Sequence, residues 1–142
     1  MSGKERQCNT RKVVIVGAGD VGASFAYALL QSGTAESIVL IDSRHELADG
    51  QALDLADGLS FVPTTIVRAG SPDDYADAAV IVITAGAKQK PGESRLNLLT
   101  RNAHIVGQIV DEITARISQA IVVVTSNPVD VLTYAALKRT GW

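Results

Sequence analysis

The chain has 142 residues, a formal net charge of −2, 46% hydrophobic and 20% charged residues, which suits one compact domain and argues against disorder. Without an excess of basic residues, nucleic acid is not expected as the main partner. No apolar run approaches the roughly 20 residues of a membrane span. Cys8 is the single cysteine, so neither a disulfide within the chain nor a cysteine-bound metal is expected. These features predict a cytoplasmic soluble domain with no membrane partner and no metal site.

Short apolar runs alternate with helical patterns through residues 12–142, after a polar tail at residues 1–11 that we expect to be disordered. The runs are rich in Val and Ile and predict buried strands at 13–17, 37–42, 64–69, 78–85 and 120–125. Helices are predicted at 20–32, 45–59, 93–118 and 128–139. Because the strands are continuously apolar and alternate with helices, we predict an α/β doubly wound (Rossmann) parallel sheet of about five strands, covered on both faces.

The spacing of apolar residues also predicts which helix faces are buried. In the first helix the predicted buried side chains are Val21, Phe25, Ala28 and Leu29. In the long third helix they are Leu96, Leu99, Ala103, Val106, Val110, Ile113 and Ile117. The third strand is more polar and is expected near an edge of the sheet. In the 3-2-1-4-5-6 strand order of such folds, the fifth strand is expected to be an exposed edge without its neighbour.

The first strand runs directly into a G-x-G-x-x-G motif at Gly17, Gly19 and Gly22, which opens the first helix. In this context the glycines permit a tight turn, a close approach of a pyrophosphate and close packing of helix on sheet. Asp42 ends the second strand, where a carboxylate accepts the hydroxyls of an adenine ribose and repels a 2′-phosphate. The structural alternative for Asp42 is a cap of the following helix. The combination predicts NAD as the cofactor, in preference to NADP.

The loop TAGAKQKPGESR follows the fourth strand, so it lies at the edge of the sheet where ligands bind in such folds. Its Arg95 stands at a helix start, where a cation is electrostatically disfavoured, and local conflicts of this kind often mark functional sites.

With this loop, residues 12–142 closely resemble the L-lactate/malate dehydrogenase family. The stretches that carry the resemblance are GAGDVGASFAYALL, IVLID, TAGAKQKPGESRLNLLTRN and TSNPVDVLTYAALKRTG.

The resemblance implies that the loop closes over a 2-oxo acid once NADH is bound. It gives Arg95 the role of polarising the substrate carbonyl, which is electrostatic stabilisation of the transition state. Gln89 stands where the family selects its substrate: lactate-specific members have Gln there, and malate-specific members have Arg to pair a second carboxylate. Gln89 therefore favours pyruvate and lactate, and without the resemblance it is an ordinary loop residue.

Further positions matching the family are implied to lie near substrate or cofactor. Asn127 is implied to bond substrate and nicotinamide, although it also suits a helix N-cap before Pro128, and the Asn127–Pro128 bond is a candidate for the cis form. Asn102 is implied to lie near the nicotinamide; its alternative is a polar helix face. The remaining cofactor contacts expected from the glycine motif and the loop are Val21, Ala85 and Gly86.

The family's mechanism also uses a His acid–base and a second Arg for the substrate carboxylate, and both are expected beyond the end of this chain. The histidines present, His45 and His104, do not match that position and are expected to face solvent; Asp130 is expected to be a first-turn helix charge. The sequence therefore predicts the NAD(H)-binding half of a lactate-specific dehydrogenase, truncated before its C-terminal substrate domain and inactive alone. Self-association is expected through the exposed edge strand or the surface that the missing half would cover.

Two alternatives stay open. One is an enzyme of the same type that acts on malate or another 2-hydroxy acid, including a branched-chain acid. The other is a stand-alone NAD-binding module that serves as a sensor or interaction domain without catalysis.

Overall fold

The apolar runs form five parallel strands in the computed structural model, which describes residues 11–142. The strands are β1 (Lys12–Val16), β2 (Ser37–Ile41), β3 (Ile66–Ala69), β4 (Val80–Ile83) and β5 (Ile121–Val124). The α-helices are α1 (Asp20–Ser32), α2 (His45–Asp57), α3 (Arg95–Ala115) and α4 (Val129–Thr140). Two short 3-10 helices, Leu59–Phe61 and Pro72–Tyr75, flank β3. Of the predicted tail, only Arg11 is among the described residues, and its Nε donates to Glu36 Oε1 at 2.8 Å.

The sheet has the strand order β3-β2-β1-β4-β5, and all its pairs are parallel, so the predicted doubly wound fold and both predicted edge strands are confirmed. The chain reverses its direction of winding between β1 and β4, whose last residues, Val16 and Ile83, are partners in register. In open parallel sheets ligands bind at the carboxyl ends of the two strands that flank this reversal. The fold therefore places the ends of β1 and β4 at the candidate site.

Two apolar clusters cover the two faces of the sheet. Along β1, Val14 and Val16 point to one face and Ile15 to the other, because side chains alternate along a strand. Val14 and Val16 belong to the cluster formed with α3 and α4, and Ile15 belongs to the cluster formed with α1 and α2. Because both faces of the sheet are buried, the central strands have no polar positions from which the direction of their side chains could be predicted.

The buried face of α1 differs from the predicted one. A Cβ on Gly22 would lie 1.8 Å from the carbonyl oxygen of Gly17, so this face of the helix packs directly against the glycine turn. Gly22, Ala26 and Leu30 are buried as a result. Of the side chains predicted to be buried, Leu29 is partly buried, whereas three are exposed: Val21, Phe25 and Ala28. The prediction was wrong because it followed the spacing of the apolar side chains, whereas the closest packing here is made by a glycine.

The third helix is shorter than predicted, and both ends of its predicted stripe are exposed. Ser94 caps the helix, accepting a hydrogen bond from the Asn97 N–H at 3.2 Å, and Arg116 ends it. Leu96 and Ile117 are 70% and 60% exposed, so the predicted stripe is buried only in its middle part. Within residues 11–142, no helix is both long and apolar enough to cross a membrane.

Candidate functional site

The three motif glycines have three different surroundings at the end of β1. Gly17 has a φ of +110°, and a Cβ there would lie 2.6 Å from the Ala85 nitrogen, so only glycine fits between the turn and the chain leaving β4. Gly22 packs against Gly17, as described above. Around Gly19 a Cβ would meet no protein atom within 4 Å. Gly19 is also the N-cap of α1 and offers no side-chain cap, so free N–H groups at this helix start are available to an anion.

Asp42 is held between the glycine turn and the residue that precedes α2. Its Oδ2 accepts from the Ala18 N–H at 2.8 Å, and its Oδ1 accepts from the Arg44 N–H at 2.9 Å. Its side chain is 12% exposed. The alternative role of Asp42 as a helix cap is wrong, because the N-cap of α2 is Arg44. The result is a held carboxylate beside the turn.

A cleft of about 880 Å³ connects these elements at the carboxyl edge of the sheet. Five predicted site residues line it: Gly17, Gly19, Asp42, Ala85 and Gly86. The other predicted site residues lie outside its lining: Val21, Gly22, Gln89, Arg95, Asn102 and Asn127. The cleft thus brings together the predicted cofactor-binding turn, the held carboxylate and the start of the 84–95 loop. Its volume lies in the usual range for ligand sites.

Two hydroxyl groups that the sequence analysis did not single out hold the floor of this cleft. Thr84 Oγ1 donates to the Gly17 carbonyl at 2.8 Å, and Ser126 Oγ donates to the Ala85 carbonyl at 2.6 Å. Thr84 directly follows β4, and Ser126 lies two residues past the end of β5; a small hydroxyl residue just after an apolar strand was the signal available in the sequence. These bonds tie the ends of β1, β4 and β5 together.

The 84–95 loop is held by polar contacts around Glu93. Glu93 Oε2 accepts from the Lys90 N–H and from Arg101 Nη2, both at 2.9 Å. The hydrogen bond from the Lys90 N–H is the main cause that holds the pKa of the Glu93 carboxyl below its usual value; desolvation opposes it, and Arg101 lowers the pKa further. Gln89 Nε2 donates to the Glu93 carbonyl at 2.9 Å. The side chain predicted to select substrate is therefore exposed but engaged within its own loop.

Arg95 is the first residue of α3 and is exposed. The first turn of α3 has no acidic residue, and within the described part of the chain no carboxylate forms a salt bridge with Arg95. The predicted electrostatic conflict at this helix start is therefore present, and the guanidinium is available to an anion or a polarised carbonyl.

Neither Asn102 nor Asn127 has the purely structural role that the sequence also allowed. Asn102 is buried; its Oδ1 accepts from the Ala87 N–H at 2.8 Å, and its Nδ2 donates to the Asn127 carbonyl at 3.4 Å. It is thus not a solvated polar face of α3. Asn127 is exposed and precedes a cis peptide bond to Pro128, as the sequence suggested. Asn127 is not the N-cap, because α4 is capped by Pro128.

The two histidines are exposed. His45 lines the cleft beside Asp42, with its Nε2 3.6 Å from Asp49 Oδ2, and His104 is exposed on α3. Asp130 is a first-turn charge of α4, as predicted. Among residues 11–142, no group of three or more His, Cys, Asp or Glu side chains is arranged to hold a metal ion.

A dinucleotide fits the groups that this cleft presents. The space at Gly19, the uncapped start of α1 and the held carboxylate of Asp42 are the features that bind a pyrophosphate and a ribose in doubly wound folds. The class defined by fold and cleft is therefore a dinucleotide-binding domain.

Comparison with known proteins identifies the family. The NAD-binding domain of lactate/malate dehydrogenases matches residues 11–142, and the chain belongs to this family. It is 52% identical over 132 residues to an L-lactate dehydrogenase of Treponema denticola, covering 93% of this chain and 42% of the relative. It is 47% identical over 133 residues to an L-lactate dehydrogenase of Lactococcus lactis subsp. cremoris, with coverage of 93% and 42%.

Solved structures agree with this assignment. The ligand-bound minor L-lactate dehydrogenase of Enterococcus mundtii superimposes with a TM-score of 0.91 at 47% identity, covering 94% of this chain and 43% of that chain. The apo malate dehydrogenase of Picrophilus torridus gives a TM-score of 0.85 at 34% identity, with coverage of 92% and 42%. The chain thus spans less than half the length of these relatives and has the fold of their NAD-binding part, and its cofactor is NAD.

Proposed function

We propose that this chain is the NAD(H)-binding part of an L-lactate dehydrogenase, which transfers hydride reversibly between NADH and pyruvate. The observation that carries the choice of substrate is Gln89, a neutral amide on the exposed loop that leads to Arg95. A neutral amide does not neutralise a second substrate carboxylate, so a substrate with a methyl group in that place is favoured over oxaloacetate. The names of the relatives from Treponema and Lactococcus support the same choice.

In this proposal the residues of the cleft bind the cofactor. The N–H groups at the start of α1, reached across the open space at Gly19, bind the diphosphate, and Asp42 accepts the ribose hydroxyls. Ala85 and Gly86 pass beside the cofactor through their backbone. When bound, the cofactor supplies the hydride chemistry. Val21, in the exposed first turn of α1, is assigned a cofactor contact as well.

The residues around the loop act on the substrate. Arg95 stabilises the negative charge that develops on the substrate oxygen, and within residues 11–142 no carboxylate forms a salt bridge with its guanidinium. Gln89 selects the substrate side chain. Asn127 and Asn102 are assigned to the nicotinamide end of the site, and the buried Asn102 holds both Ala87 and Asn127 in position.

Proton transfer is assigned to a residue outside these 142 positions. His45 lies at the Asp42 end of the cleft and His104 is exposed on α3, so neither is assigned to the substrate oxygen. The proposal therefore expects this chain to bind NADH and to leave pyruvate unreduced by itself. Titration with NADH, followed by a pyruvate reduction assay on the same sample, tests both parts. Robust turnover by the 142 residues alone would contradict the second part.

Self-association and a cytoplasmic location belong to the same proposal. β5 is an edge strand, with Ile121 and Val123 69% and 41% exposed. An exposed apolar edge strand favours pairing with another chain. Light scattering over a concentration series is expected to show a dimer or larger species, and a monomer at all concentrations up to about millimolar, where weak contacts with dissociation constants near 1 mM are populated, would contradict this expectation.

A further inference from the structure

Arg101, in the second turn of α3, contacts both ends of residues 88–93, a segment that we call the loop tip. Its Nη2 donates to the Lys88 carbonyl at 3.0 Å and to Glu93 Oε2 at 2.9 Å. The side chains of Arg101 and Glu93 are 35% and 11% exposed, so this contact is largely shielded from water. One nitrogen atom of the helix therefore joins the first and the last residue of the loop tip.

The hydrogen bonds inside the loop tip converge on Glu93. Gln89 Nε2 donates to the Glu93 carbonyl at 2.9 Å, and the Lys90 N–H donates to Glu93 Oε2 at 2.9 Å. The Glu93 N–H donates in turn to the Lys90 carbonyl at 3.0 Å. These bonds shape the tip but do not fix its place on the domain, because all their members belong to the tip. Arg101 belongs to α3, whose middle part packs in the core, so its contacts tie the tip to the domain.

The next residue of the helix makes a similar contact. Asn102 Oδ1 accepts from the Ala87 N–H at 2.8 Å, so consecutive residues of α3 bind consecutive residues of the loop, Ala87 and Lys88. Both of these loop residues line the cleft. The position of the residue that follows them, Gln89, therefore depends on both contacts with the helix.

The guanidinium of Arg101 is committed to the loop, in contrast to that of Arg95. Arg101 forms a salt bridge with Glu93, whereas Arg95 has no such partner within residues 11–142. Because its charge is already paired, Arg101 is not available to a substrate carboxylate. Its Nε is buried and has no hydrogen-bond partner among the described residues, which is unfavourable for a donor. The two contacts of Nη2 are thus what holds this side chain in place.

We propose that Arg101 is a positioning residue for substrate selection: its two contacts hold the loop tip in the shape that places Gln89 for the choice of pyruvate. The inference rests on the proposed function, in which Gln89 selects the substrate side chain. Arg101 itself lies outside the lining of the cleft. Its loss is therefore expected to relax the choice of substrate and to leave the binding of the cofactor nearly unchanged.

The first test is steady-state kinetics of the whole enzyme with pyruvate and with 2-oxobutanoate, whose side chain is longer by a methylene group. In Arg101→Ala we expect KM for pyruvate to rise by about tenfold. The preference for pyruvate, measured as the ratio of the two kcat/KM values, is expected to fall by about threefold or more. KM for NADH should change by less than about twofold.

Two further variants separate positioning from a merely structural role. In a Gln89→Ala background, Arg101→Ala should change the ratio by less than about twofold, because no selecting side chain is left to place. Arg101→Lys supplies a single nitrogen with several donors, one bond short of Nη2, and should bring KM for pyruvate back to within about threefold of the parent value. Lys138→Ala removes a positive charge from an exposed site on α4 and is the matched control, expected to change nothing.

Hydrogen exchange of the 142-residue chain tests the contact itself without turnover. In Arg101→Ala the Lys90 amide is expected to exchange several-fold faster. The Ala87 amide, which Asn102 binds, is the internal control and should change by less than about twofold. Should Arg101→Ala fail to fold in a thermal melt, Glu93→Gln weakens the same contact from the loop side and is expected to relax the preference in the same direction.

The outcomes distinguish the inference from the proposed function. An unchanged exchange rate of the Lys90 amide overturns the inference, since the tip is then held without Arg101. A loss of activity that is equal for both 2-oxo acids, or that persists in the Gln89→Ala background, also overturns it and leaves pyruvate as the substrate. If the whole parent enzyme does not reduce pyruvate, the proposed function and the inference fall together.

Discussion

The two sides of the candidate site are built in different ways. The glycine turn and Asp42 are held by backbone contacts among buried residues, such as the Asp42 bond to the Ala18 N–H and the packing of Gly22 on Gly17. The 84–95 loop is held chiefly through one side chain, Glu93, which accepts from the Lys90 N–H and from Arg101. We call the first arrangement the rigid side, because close backbone packing fixes it, and the second the exchangeable side, because it depends on one carboxylate and its two donors. Under the proposed function both arrangements are needed, since the cofactor site is used in every cycle and the substrate loop has to open and close.

The largest expected effect is on the rigid side. Gly22→Ala places a Cβ where the Gly17 carbonyl oxygen lies only 1.8 Å away, so helix and turn have to separate. We expect a loss of about 3 kcal/mol in the free energy of unfolding, measured by urea titration. Gly50→Ala on α2 is the matched control: no atom lies within 4 Å of the added Cβ, and a gain of about 0.5–1 kcal/mol is expected. Equal behaviour of the two variants would contradict the proposed close packing.

An ionic cluster centred on Asp74 joins Lys12 of β1 to Arg68 of β3. Lys12, which is buried, bonds Asp74 Oδ1 at 2.8 Å, and Arg68 Nη1 bonds Asp74 Oδ2 at 3.1 Å. Desolvation raises the pKa of the Asp74 carboxyl, but hydrogen bonds from Arg68, Lys12 and the Ser71 N–H outweigh it and hold the pKa well below the usual value.

Asp74→Asn is expected to cost about 2 kcal/mol of stability at neutral pH, because it removes the carboxylate that pairs Arg68 and leaves the buried Lys12 with Asp77 alone. A lowered carboxyl pKa stabilises the fold above the unfolded pKa of about 3.9, and this contribution is lost as the pH falls from there toward the folded pKa. The difference between variant and parent should therefore narrow in urea titrations below about pH 4. Asp73→Asn, on a neighbouring residue that is 87% exposed, is the control and should have a small effect at every pH.

On the exchangeable side, Gln89→Arg tests the substrate assignment in the whole enzyme. An added guanidinium can pair a second carboxylate, so the ratio of kcat/KM for oxaloacetate to that for pyruvate is expected to rise by about tenfold or more. Gln119→Arg adds the same charge at an exposed position before β5 and should leave the ratio unchanged. An unchanged ratio in Gln89→Arg would remove Gln89 from the substrate-selecting role.

The smallest expected effect comes from Glu93→Gln. The substitution weakens the contacts of Glu93 with Lys90 and Arg101, and hydrogen exchange of the Lys90 amide should accelerate several-fold while the melting temperature stays within about 1 °C. Because the pKa of Glu93 is lowered, the same loosening should occur in the parent chain as the pH falls below the usual carboxyl range. Lys90→Ala keeps the backbone donor and is the matched control. A global loss of stability would show that the loop is part of the rigid side.

Much of the rigid side could be predicted from sequence, because its signals are local. The run of Val and Ile before Gly17 and the spacing of Gly17, Gly19 and Gly22 are enough to predict strand, turn and helix, and the strand order follows from the usual winding of such sheets. The buried face of α1 was mispredicted, because the contact of Gly22 with Gly17 is a matter of three-dimensional distance. For the same reason Asn102 could not be recognised as buried, since its partners Ala87 and Asn127 come from other parts of the chain.

The roles of the loop residues were predicted from different evidence. Nothing in the local sequence distinguishes Gln89 from an ordinary surface amide, and its predicted role comes from the family resemblance alone. Arg95 had a local signal, the cation at a helix start, and the structure leaves it without a carboxylate partner in the part of the chain it describes. The sequence could therefore indicate where to look on this side of the site, but not how the loop is held.

Asn102 holds one end of the 84–95 loop through its buried side-chain amide. Because it binds the Ala87 N–H, the chain is anchored just beyond Gly86, and at the far end Ser94 anchors the start of α3. We therefore expect any movement of the loop to centre on residues 88–93, which include Gly92 at a φ of +76°. Arg95 lies just past the second anchor, so it would be carried by a rotation of the helix start and would not travel with the loop tip.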